Sequence, residues 1–133
     1  MKIIARVHLI VGIITIAVFL FTGMYMRTHF PEIYQTNESI RYLYRANHIY
    51  LLFSGLLNVA LGLYFALHQV GWRKRLQSIG SLLFLIAPVL LTWAFFTEPI
   101  QASPMRPLTA LGVFASVIGI LLHLIPHSVR QKL

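Results

Sequence analysis

The residues of this chain best suited to chemistry are Arg45, His48 and Glu98. Arg45 and His48 lie one turn apart near the start of a long apolar run, and Glu98 closes the next one. A guanidinium, an imidazole and a carboxylate at one depth can hold an anion or a ring carbonyl, with His48 as donor or base. Arg41 sits one turn further out, and Asn47 lies on a neighbouring helix edge. His29 and Glu32, in His29-Phe30-Pro31-Glu32, can fold over the same mouth. These seven residues form the candidate ligand-binding site. The plainer alternative is an ion pair of Arg45 with Glu98 that pins the second helix to the third. Charges inside a membrane span are costly, so they mark either function or a paired contact.

A second group, His8 and His123, falls at the opposite end, with His68 and His127 nearby. As axial ligands, His8 and His123 would hold one haem b. Local hydrogen bonding at the interface is the plainer account of both. A two-haem arrangement fits poorly, because His48 and His68 are separated by about 30 Å of helix and lie at opposite membrane edges.

Several chemistries drop out. His29, Glu32, Glu38, His48 and Glu98 could suit zinc, manganese or iron, but Arg27, Arg41 and Arg45 would repel a cation, and Pro31 upsets the spacing. Aspartate is absent, and so is a G-x-S-x-G turn, so no serine triad can form. Cysteine is absent too, which removes thiol and iron–sulfur chemistry. A proton-coupled exporter needs an acid deep in the membrane; the strongly polar residue near mid-depth is instead Asn58. The residues identify no catalytic set, and a binding role is expected ahead of an enzymatic one.

The elements that must position these residues are read from hydropathy. Of the 133 residues, 58% are hydrophobic and 11% charged, against about 25% charged in soluble domains. Four apolar runs reach spanning length, which takes about 20 residues. They predict helices at approximately 3–27, 41–68, 75–97 and 107–127, and they leave no room for a soluble domain. The first run is too long for the apolar core of a cleavable signal and lacks an A-x-A site. Short loops favour antiparallel neighbours, so the expected fold is an all-α, up-down-up-down bundle of four transmembrane helices, one membrane domain. Pro88 interrupts the third helix and predicts a kink.

The net charge of +8 does not signal nucleic acid, because it is sorted by membrane side. Lys2, Arg6, Arg73, Lys74, Arg75, Arg130 and Lys132 fall on one side; Arg27, Arg41, Arg45, Arg106 and all three glutamates fall on the other. The positive-inside bias then places both termini in the cytoplasm and the protein in the inner (plasma) membrane.

Residues 100° apart sort into faces. His8, Gly12, Thr15, Phe19, Thr22 and Met26 make one stripe in the first helix. Arg41, Arg45, His48, Gly55, Gly62 and Ala66 make another in the second, beside an edge of Asn47, Ser54 and Asn58. Gly80, Ala87, Ala94 and Glu98 align in the third, and Gly112, Ser116, Gly119 and His123 in the fourth. Small-residue stripes are where membrane helices pack. Arg6, Gly23 and Tyr25 share the spacing of Arg45, Gly62 and Tyr64, a three-residue echo that membrane composition alone can produce.

The expectation is a small bacterial-type inner-membrane protein, a binding or accessory component with its polar site at the outer end. A haem b or quinone-linked electron-transfer subunit is the first alternative, with Arg45 and His48 bonding a quinone carbonyl. An oligomeric transporter of an anion or lipid headgroup is the second. Its partners are the lipid bilayer and either further copies or a larger membrane complex, with no nucleic acid.

Overall fold

The computed structural model describes residues 2–33, 38–64, 71–101 and 105–128, and it is all-helical. Helix α1 is Lys2–Ile33, α2 Glu38–Tyr64, α3 Gly71–Thr97 and α4 Pro107–Ser128, with a 3₁₀ turn at Pro99–Gln101 between α3 and α4. All four α-helices are long and apolar enough to cross a membrane.

The bounds follow from local chemistry. Helix α1 continues past residue 27, through what reads as loop. There the Thr28 hydroxyl bonds the Tyr25 carbonyl at 3.0 Å, and the His29 ring stacks on Tyr25 at 4.3 Å. Helix α3 starts at Gly71, whose φ of +50° favours a residue without a side chain. The stretch Trp72-Arg73-Lys74-Arg75 is therefore the first turn of α3, not a loop. Pro107 opens α4, where a missing N–H removes no helical bond. The expected end of the second helix, 65–68, lies outside the described residues.

Many large apolar side chains are exposed, while several polar ones are fully buried beside an apolar core of Leu51, Phe84, Leu91 and Phe95. Leu20, Leu56, Leu82, Val89 and Phe114 are all more than half exposed. His8, Thr22, Asn47, Ser54 and Asn58 have no exposed surface.

Helix α1 packs along α2, and α3 along α4; α2 against α3 joins the pairs. Between α1 and α2 the approach is close. A Cβ on Gly12 would stand 2.6 Å from the Val59 nitrogen, and one on Gly62 would stand 2.7 Å from the Leu9 Cα. Residue numbers rise along one helix as they fall along the other. Gly80 and Gly119 meet in the same sense across α3 and α4. Among the described residues α1 and α4 have no close backbone approach, while Tyr25 of α1 also meets Phe95 and Phe96 of α3, so the helices form a staggered row and not a closed ring.

Two faces of α2 are used. His48, Gly55 and Gly62 face α1. Tyr44, Asn47, Leu51, Ser54 and Asn58, three and four apart, form the buried face; from it, Tyr44 packs on Phe95 of α3 at 5.1 Å. The edge that looks secondary in the sequence is thus the most buried line of the helix.

Candidate functional site

Glu98 is committed within its own corner of the fold. Its carboxylate accepts the backbone N–H of Leu108 at 2.6 Å, the N–H of Thr109 at 3.2 Å and the Thr109 hydroxyl. The first N–H groups of a helix have no internal partner, and the helix dipole favours negative charge there. Glu98 therefore caps α4 from the end of α3. Arg106, just ahead of α4, completes the corner: its Nε lies 3.9 Å from Glu98 Oε2, and its Nη2 donates to Asn47 Oδ1 and to the Thr109 hydroxyl.

This corrects the expected Arg45–Glu98 pair. Among the described residues the ion pair is Arg106–Glu98. The reason is geometric: on α2, residues two apart point about 200° apart. Asn47 faces the Glu98 corner and is fully buried. Arg45 is exposed on another face.

Arg45 instead lines an open groove of about 470 Å³ between α1 and α2, with Arg27, Arg41, Phe30, Met26 and Gly23. Arg41 stacks over the Phe30 ring, 6.0 Å from its centroid. None of the three guanidiniums lies within 4 Å of a described carboxylate. Three cations on an apolar floor, with no described carboxylate within 4 Å, attract an anion, and planar guanidiniums suit oxyanions.

His48 lies at the edge of this groove. Its ring stacks on Phe19, with centroids 4.0 Å apart, and its Nδ1 is 3.0 Å from the Thr22 hydroxyl. The same hydroxyl lies 2.9 Å from the Phe19 carbonyl, so Thr22 ties the His48 ring to α1. A Cβ on Gly23 would stand 3.1 Å from His48 Cε1, so this groove-lining glycine leaves the ring edge uncovered.

The remaining sequence candidates are placed as follows. His29 is exposed and donates from Nδ1 to the Tyr25 carbonyl at 3.1 Å. The Glu32 side chain lies outside the described residues. Among the described residues no three His, Asp or Glu side chains converge as a metal ion would need. His8 donates from Nδ1 to Asn58 Oδ1 at 2.7 Å. His123 lies 3.4 Å from the Ser81 hydroxyl and against the Phe84 ring, on a helix with no close backbone approach to that of His8. Asn58 also donates to the Phe84 carbonyl, and both residues are fully buried.

Sequence reading passes over Arg27, Arg106 and Thr109. Arg106-Pro107-Leu108-Thr109 carries a usable signal: a proline at a helix start, with orphan N–H groups behind it and a buried acid nearby to accept them. Arg27 shares a helix face with Gly23, which lines the groove beside it.

A second groove, about 640 Å³, lies between α1 and α3, lined by Val11, Val18, Leu85, Trp93 and Phe96 among others. Its threonines are turned to their own helices: Thr15 bonds the Val11 carbonyl, Thr92 that of Pro88, and Thr97 that of Trp93. The wall is apolar in effect.

No protein-family model, curated protein or solved structure matches this chain.

Proposed function

We propose that this protein is a four-span, up-down-up-down component of the inner membrane, with both termini cytoplasmic, that binds an anion in the Arg27–Arg41–Arg45 groove at its outer end. It acts as a binding or accessory component and not as a catalyst. The observation that carries this is the groove itself: three arginines, an apolar floor and no described carboxylate to neutralise them. The opposed residue order across α1–α2 and α3–α4 supports the up-down reading, and the basic bias of residues 2–6 and 73–75 supports the orientation.

An anion fits better than a quinone. A neutral carbonyl accepts about two hydrogen bonds and would leave most of the positive charge unanswered. Phosphate or a carboxylate answers it directly.

The test is thermal unfolding of the detergent-purified protein with and without millimolar sodium pyrophosphate, compared at equal ionic strength. A stabilisation that disappears in Arg45→Ala supports the reading. No stabilisation in the native sequence, or the same stabilisation in Arg45→Ala, rejects it.

A further inference from the structure

We infer that the anion is the phosphate of an anionic glycerophospholipid, held laterally from the bilayer with its acyl chains along the α1–α2 seam. This rests on the anion-binding reading above and specifies its source.

The groove is open to the side. Directly along the same faces, the arginines give way to exposed apolar residues. On α1, Arg27, Leu20 and Ile13 are spaced seven apart; Leu20 is 65% and Ile13 56% exposed. On α2, Arg45, Ile49 and Leu56 follow at four and seven, and Ile49 is 60% and Leu56 52% exposed. Since Arg27 and Arg45 line one groove, the two apolar lines below them flank one seam. From Arg27 to Ile13 is about 21 Å along the helix, longer than the roughly 15 Å of one hydrocarbon leaflet.

Charge and depth agree with this occupant. A phosphodiester offers two shared anionic oxygens, which suit guanidiniums better than ammonium groups. Phe30 beneath Arg41 gives the glycerol region an apolar floor. A free anion would use the arginines alone and would leave the seam beneath them without a role. Close placement of Gly12 and Gly62 keeps α1 and α2 together along that seam, so the two apolar lines stay parallel under the headgroup.

The opposite end of the molecule also carries cations, Arg73, Lys74 and Arg75, which will attract anionic lipid without a groove. The experiment must separate the two ends. The protein is extracted from vesicles of equimolar dioleoylphosphatidylglycerol and dioleoylphosphatidylcholine, and the lipid that stays bound is counted by native mass spectrometry. The same preparation is challenged with inorganic phosphate.

Each arginine near the headgroup contributes about fivefold to selection, so the Arg41→Gln, Arg45→Gln double variant should lose roughly 25-fold of the preference for phosphatidylglycerol. Arg73→Gln, Lys74→Gln, Arg75→Gln should keep one selectively bound phosphatidylglycerol. Both arginines are exposed, so thermal unfolding in pure phosphatidylcholine should change in the double variant by no more than the loss of the exposed Arg41–Phe30 contact.

Selectivity that vanishes with the Arg73–Arg75 variant but survives the groove variant overturns the inference. If pyrophosphate stabilises the protein through Arg45 while the two lipids are retained equally, the anion reading stands and the lipid inference fails. If neither pyrophosphate nor phosphatidylglycerol has an effect through the groove, both fail.

Discussion

Asn58 Nδ2 donates to the Phe84 carbonyl at 2.9 Å, and that carbonyl is the one that Pro88 leaves without its helical donor. Proline has no N–H, so the oxygen four residues earlier is orphaned. In a membrane nothing else would satisfy it. Asn58 also donates to the Ser54 carbonyl and accepts from His8. One side chain on α2 thereby joins α1 to the interrupted turn of α3.

Asn58→Leu should therefore destabilise the protein by about 1–3 kcal/mol, because it leaves both His8 and the Phe84 carbonyl short of a partner. Pro88→Ala restores a helical N–H and should reduce the penalty of Asn58→Leu when the two are combined. Unfolding of the two single variants and the double variant in mixed micelles gives the coupling. Strict additivity would show that Asn58 does not stand in for the missing donor.

The acid corner makes a second prediction. Glu98→Ala should cost about 1–2 kcal/mol through loss of the α4 cap, and Arg106→Ala should be coupled to it. Arg45→Ala should add independently of Glu98→Ala, within about 0.5 kcal/mol. Coupling of Glu98 to Arg45 in place of Arg106 would return the ion pair to the partner that spacing alone suggests.

Close approach makes a third. Gly12→Val should drive α1 from α2 and destabilise by about 1–3 kcal/mol or more, since the nearest obstacle is the Val59 backbone nitrogen. Gly71→Ala meets no atom within 4 Å but has a positive φ, and should lose only about 1 kcal/mol. Thermal unfolding ranks the two; equal losses would contradict the contact.

Salt makes the fourth. Raising ionic strength from 0.1 to 1 M shortens the screening length from about 10 to about 3 Å. Pyrophosphate binding at the exposed groove should weaken at least severalfold, while the Glu98 cap, buried at 5% exposure, should hold. Isothermal titration alongside thermal unfolding reads both; an unscreened groove would argue against binding through exposed arginines.

Much of the packing was legible because helical phase is fixed by the chain. Of the stripe His8, Gly12, Thr15, Phe19, Thr22 and Met26, all are buried but Phe19, which is partly buried. Gly80, Ala87, Ala94 and Glu98 are likewise buried. What phase cannot give is which neighbour a face meets. Glu98 looked toward Arg45 because both lie at one end, yet the turn from Pro99 to Pro107 brings α4's free N–H groups closer. The same limit hid the split of α2 between two partners, which left Arg45 outside and Asn47 within. Loop ends were harder still: the Thr28 and His29 bonds back to Tyr25 carry α1 past the point where hydropathy falls away.

The row of four helices has a consequence for how the molecule is made. Its densest packing joins α1 to α2 and α3 to α4, elements that follow one another in the chain. Such local partners find each other quickly, and a chain is synthesised from its N-terminus onward. The first hairpin can be complete, arginine groove included, before α4 has left the ribosome. Assembly can then be two hairpins, each closed by its own glycine seam, joined when Asn58 meets the proline turn.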